Sequence, residues 1–108
     1  NRIKSSEINE EVAKLNREQL HIQLTSEMQQ WMEQWQKATS SMNYYKITGL
    51  QHAYTIVTSA QLSFENGDID YLQWSLLMNQ AINIRLGYME AIRSYNQSAI
   101  QLLYYLSN

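Results

Sequence analysis

The chain has 108 residues, room for one domain, and its 8 Lys and Arg against 10 Asp and Glu leave a net charge of −2 at pH 7. That balance excludes a protein whose main work is gripping nucleic acid through its phosphates, while 44% hydrophobic residues exclude a disordered tail. Three Gly and no Pro exclude the many turns of a β-sandwich or barrel, and the absence of Cys excludes a disulfide frame, a thiolate nucleophile and a Cys-based zinc site.

The predicted architecture is all-α. The polar residues are largely amides, with 12 Gln and 9 Asn. A first long helix is predicted over about 2–66. Ile8, Val12 and Leu15 step by four and three, and after a local irregularity the stripe resumes as Leu20, Leu24, Met28, Trp31, Trp35, Ala38, Met42 and Tyr45. This alternation of three and four is close to a coiled-coil seam. The opening turns are heavily charged but electrically balanced, and Glu10–Lys14 is an i,i+4 pair of the helix-supporting kind. Tyr44-Tyr45-Lys46-Ile47-Thr48-Gly49 interrupts the run with β-branched and aromatic residues and a Gly that costs about 1 kcal/mol relative to Ala. A kink or break is expected near 45–49, after which His52, Ala53, Ile56, Val57, Ala60 and Phe64 resume the pattern.

The strongest punctuation is Glu65-Asn66-Gly67-Asp68-Ile69-Asp70. Gly67 suits the left-handed conformation that ends a helix, Asp68 can cap the next one, and Asp70 then falls in its first turn, where the dipole favours an anion. So short a turn joins antiparallel helices. The second helix, over about 69–106, carries two apolar stripes. One runs Leu77, Ala81, Ile84, Tyr88, Tyr95, Ala99, Leu102 and Leu106; the other holds Ile82, Leu86, Met89, Ile100 and Leu103. Two stripes call for more than one neighbour.

At ~1.5 Å per residue the two helices are unequal, ~95 Å against ~57 Å. A plain hairpin leaves roughly the first 25 residues without a partner in this chain. The alternative is a chain that folds back near Gly49 into a three-helix bundle. No run of ~18 apolar residues is present to span a membrane as a helix, and no signal peptide is visible. The sequence opens on Asn1 rather than Met and is read as an excised piece of a longer protein, one helical segment over 1–108.

The stretch from Ala60 to Trp74, with Gly67-Asp68-Ile69-Asp70-Tyr71-Leu72 at its centre, resembles the signature of TolC-like outer-membrane efflux channels. Ala91-Ile92-Arg93-Ser94-Tyr95-Asn96-Gln97-Ser98-Ala99-Ile100-Gln101-Leu102 resembles the closing helix of that family's repeat. Together they are most similar to its heavy-metal branch, and especially to channel-like segments fused to metal-exporting pumps of the resistance-nodulation-division (RND) class. The likeness covers about the last 65 residues, and the first 40 only by periodicity. It implies a homotrimeric α-helical tunnel across the periplasm of a Gram-negative bacterium, continuous with a barrel in the outer membrane. Its partners are a periplasmic adaptor and an inner-membrane RND pump. Gly67 then lies at the tunnel tip, and Glu65, Asn66, Gly67, Asp68, Asp70, Tyr71 and Gln73 present the docking or gating surface. Gln73 and Leu76 stand where several relatives carry entrance carboxylates. The chain holds one of the family's two repeats and no barrel strands, so alone it is not a working channel.

Asp68 and Asp70 read either as cation-attracting carboxylates at an entrance or as a helix cap and dipole partner, and both can hold. His21 and His52 lack partners at i,i+4 spacing, so no metal site is expected. The Met residues fall at seam spacing and read as core filler rather than a thioether path, and Trp31 and Trp35 as packing. No nucleophile has an evident base, and no phosphate loop is present. No enzyme activity and no cofactor are expected. The competing class is a self-contained α-helical coiled-coil scaffold or dimerisation module.

Overall fold

The computed structural model describes residues 2–107. Helix α1 spans Arg2–Tyr44, a π-helical turn spans Tyr45–Gly49, α2 spans Leu50–Glu65 and α3 spans Tyr71–Leu106. Among the described residues there is no strand. The molecule is a rod of 93 × 23 × 13 Å, in which α1 and α2 form one continuous arm and α3 runs back antiparallel along it. This is the long helical hairpin that the turn and the two periodicities predict.

The arm does not break at Gly49. Tyr44, Gly49 and Leu50 all keep right-handed helical dihedrals, and the Leu50 N–H donates to the Tyr45 carbonyl, five residues back. One widened turn absorbs the mismatch between the seam before it and the seam after it. One line of half-buried or buried positions runs 38, 42, 45, 49, 53, 56, 60 and 63, with two successive steps of four at the turn. The π-turn rotates the arm so that both halves of this line face α3. A helix that stays in register has no reason to fold back, and the three-helix alternative is thereby ruled out.

Burial follows side-chain size in an unexpected direction. The buried apolar residues are Ala38, Ala53, Ala60, Ala81, Ala91 and Leu102, and Ser98 is buried with them. Small side chains let two helix axes approach to the near end of the ~8–10 Å range, and larger ones flank the contact or face outward. Ser98 is satisfied by donating to the carbonyls of Ser94 at 2.8 Å and Tyr95 at 3.1 Å. The seam of α3 therefore runs through Ala81, Ile84, Tyr88, Ala91, Tyr95, Ser98, Leu102 and Tyr105. The expected stripe is corrected at its C-terminal end. Leu106 is exposed, and Ala91, Ser98 and Tyr105 belong to the seam although hydrophobicity ranks them low.

Tyr45 locks the middle of the rod. A Cβ at Gly49 would lie 2.8 Å from Tyr45 Cδ1, and a Cβ at Gly87 would lie 2.7 Å from Tyr45 Cζ. The phenol thus sits in a notch made by two glycines from opposite arms, with the Tyr88 ring edge-on at 6.3 Å between centroids.

Residues 2–26 are exposed throughout, which places the unpartnered overhang where the length arithmetic puts it. Its first anchored neighbour is Glu27, whose Oε2 accepts a 2.6 Å hydrogen bond from the Tyr105 hydroxyl of α3. Glu10 and Lys14 are not within ion-pair distance. The one salt bridge among the described residues is Arg93–Glu90 at 3.9 Å, itself exposed. On a free surface a screened charge contact does not repay the side-chain entropy it costs.

Candidate functional site at the hairpin tip

The closed end of the rod is built by two capping devices placed back to back. The Gly67 N–H donates to the Phe64 carbonyl at 3.1 Å and the Asp68 N–H to the Ser63 carbonyl at 2.8 Å. This paired pattern is the Schellman motif that satisfies the last carbonyls of a helix. It requires a left-handed residue just past the helix end, and Gly67 holds φ +77°. Three residues on, Asp70 Oδ1 accepts from the Gln73 N–H at 2.8 Å while Gln73 Oε1 accepts from the Asp70 N–H at 3.0 Å. Each closes an orphan donor of the other, which is a capping box.

The cap is therefore Asp70 and not Asp68, and α3 begins at Tyr71 rather than at 69. The reason is chemical. Three residues after Asp68 stands Tyr71, which cannot return a hydrogen bond to the backbone; three residues after Asp70 stands Gln73, which can. Ile69 and Trp74 occupy the positions of a hydrophobic staple across this cap, and both are half-buried.

Trp74 is the pivot of the tip. Its ring lies 5.4 Å from Phe64 and 5.7 Å from Tyr71. Its Nε1–H donates to Gln61 Oε1 at 3.2 Å, and Gln61 Nε2 donates to Glu65 Oε1 at 3.1 Å. A single polar chain thus runs from α3 to the last turn of α2 and holds Glu65 in place.

All seven residues expected at the tip, Glu65, Asn66, Gly67, Asp68, Asp70, Tyr71 and Gln73, come together at this end and are exposed. Asp70 and Gln73 are also committed to the cap. Sequence reasoning missed Gln61, Phe64 and Trp74 as its supports; the available signal was aromatic residues on both sides of the Gly67 turn. Leu62, Leu72 and Leu76 stay exposed beside them. No Lys or Arg occurs between Lys46 and Arg85, whereas Glu65, Asp68 and Asp70 all do, so the tip presents negative charge beside apolar side chains. Among the described residues no group of three His, Cys, Asp or Glu is placed to hold a metal ion. None of the described helices is long and apolar enough to cross a membrane. No protein family, curated protein or solved structure matches the chain.

Proposed function

We propose that this chain is a periplasmic wall segment of a TolC-like outer-membrane efflux component serving metal or cation export, in a homotrimeric channel. Its 65–73 turn is the surface on which a periplasmic adaptor docks, coupling the channel to an inner-membrane RND pump. The role is structural and binding, without catalysis. One observation carries the reading: the hairpin has unequal arms, with a doubly capped tip at one end and 25 exposed helical residues at the other. A tip stiffened by a Schellman turn and a capping box holds its side chains in fixed positions, which lowers the entropy cost of docking. The long arm beyond Glu27 is built to meet something outside this chain.

The test is binding of the folded chain to the helical hairpin of the periplasmic adaptor encoded with it, measured by calorimetry. Binding that weakens in Tyr71→Ala and in Gly67→Val supports the assignment. Its absence at concentrations up to about 1 mM, the weakest affinity worth assigning to a docking contact, sinks it. The reading frame around these residues gives an independent check: alternating strands of barrel length and a second copy of the Gly67 motif are expected there.

A further inference from the structure

The far side of α3 carries a second seam that nothing in the chain covers. Leu72, Ile82, Leu86, Met89, Ile100 and Leu103 are each between 50% and 67% exposed. They fall on the a and d positions of a heptad frame with a at 72, 79, 86, 93 and 100 and d three residues after each. This line lies nearly half a turn around the helix from the buried line of Ala81, Ala91 and Ser98. We propose that the partner of this seam is the same seam of a second copy of the chain, the two α3 helices running parallel.

Pairing like with like places six apolar layers in the interface. The four others in the frame are Asn79, Asn96, Ser75 and Arg93. Asn pairs at such positions fix register and favour two strands at some cost in stability. The Arg93 pair is the one unfavourable layer.

The flanking positions decide the direction. In a parallel pair each g residue meets the e residue five positions on in the other helix. Here those pairs include Tyr71 with Leu76, Arg85 with Glu90, and Ala99 with Tyr104: two apolar contacts and one pair of opposite charge, with no like charges opposed. An antiparallel pair sets Arg93 against Ile82 and Ser75 against Ile100, which leaves fewer apolar layers. Covering six side chains on each copy withdraws about 1,200 Å² in total, at the lower edge of the ~1,200–2,000 Å² of specific interfaces. The parallel arrangement puts both tips at one end, taking Tyr71, Leu72 and Leu76 into the interface and leaving Glu65, Gly67, Asp68 and Asp70 outside it, so this dimer is an assembly distinct from the homotrimeric channel and is tested without the adaptor.

The experiment is sedimentation equilibrium on the full 108-residue chain, with no adaptor present. A monomer–dimer equilibrium in the micromolar range is expected. Leu86→Glu should weaken it about ten-fold or more with helicity unchanged by circular dichroism, because Leu86 faces away from α1 and α2. Val12→Glu, on the overhang, should leave it untouched. The chain has no native Cys, so Leu86→Cys should form a disulfide-linked dimer with itself on mild oxidation. A monomer at all concentrations up to about 1 mM, or a trimer, overturns the proposal. So does a dimer broken by Val12→Glu but not Leu86→Glu, which would put the interface on the overhang. Failure of Leu86→Cys to cross-link in a dimer that still forms overturns the parallel pairing.

Discussion

Gly87→Ala tests whether the Tyr45 notch governs the approach of the two arms. Elsewhere in a helix this change stabilises, because Ala exceeds Gly in helix propensity by about 0.8–1.0 kcal/mol. At position 87 the new methyl would lie 2.7 Å from Tyr45 Cζ and 3.1 Å from Cε1, well inside the ~3.5–4.0 Å of carbon–carbon contact. The phenol has no easy retreat. Its other end lies against Gly49, where a Cβ would come within 2.8 Å of Cδ1, and Tyr88 stands edge-on beside it. Relief requires a strained rotamer or a wider helix spacing, at a cost typical of overpacking, ~1–3 kcal/mol. The overpacking wins, and a net loss of about 1 kcal/mol is expected.

The decisive comparison is the same substitution in a Tyr45→Ala background. Removing the half-buried ring should itself cost about 2 kcal/mol, and it empties the notch. Gly87→Ala then gains its propensity without a clash, and should stabilise by about 1 kcal/mol. The sign of its effect inverts, for a coupling of about 2 kcal/mol, well above the ~0.3–0.5 kcal/mol error of additive behaviour. Urea denaturation of the four chains of the cycle measures it. Equal effects of Gly87→Ala in both backgrounds would refute the reasoning, since the Tyr45 contact would then place no limit on the helix spacing.

Gly67→Val should destabilise the hairpin by about 2 kcal/mol through its left-handed backbone, while Gly67→Asn should cost under about 1 kcal/mol; no atom lies near the new Cβ, so equal losses would point to packing instead. Asp70→Ala removes one half of the capping box and should cost about 1 kcal/mol, whereas Asp68→Ala should be nearly silent in the same denaturation assay; the reverse order would return the cap to Asp68. Tyr105 titrates above its usual 10.0, chiefly because it donates to Glu27, with burial and the Glu27 charge adding to the effect. The folded state therefore holds that proton more tightly than the unfolded chain, so the stabilisation is full below about pH 10 and is lost as pH climbs through the folded value. Wild type should lose more stability than Tyr105→Phe over that alkaline range, and parallel losses would show that the hydrogen bond carries no linkage. Val12→Asp, on the overhang, should leave the unfolding midpoint where it is.

The hairpin and its turn are legible in the sequence because their signals are local. Gly67 followed by Asp and Ile, and a three-four stripe from Met28 to Tyr45, need no partner to be read. The length difference between the arms is equally plain, and it places the overhang at residues 2–26. The weak point at 45–49 is visible too, but its nature is not. A π-turn is distinguished from a break only by following the seam on both sides and finding one step too many. The cap moves from Asp68 to Asp70 because two Asp residues compete and only one has a returning Gln three positions on. Gly87 is silent in the sequence, since the side chain that fills its notch is 42 residues away, on the other arm.

Ala91, Ser98 and Tyr105, the part of the α3 seam that the apolar stripe leaves out, are hidden for a more general reason. Hydrophobicity assigns Leu, Ile and Met to a core and treats Ala and Ser as neutral, which suits a domain thick enough to have an interior. Two helices have no interior; they have a line of contact, and the line is tightest where side chains are smallest. Ala38, Ala53, Ala60, Ala81, Ala91 and Ser98 occupy it, and the large apolar residues are left on the flanks and the back. A chain that meant to remain a lone hairpin would carry polar residues there, as an exposed apolar face on a soluble surface invites association. Instead α3 repeats Leu, Ile and Met at coiled-coil spacing on its outer side, with few charges to keep a neighbour away. The same inversion that hides Ala91 and Ser98 from a hydrophobicity reading marks the outer seam as a surface made for another helix.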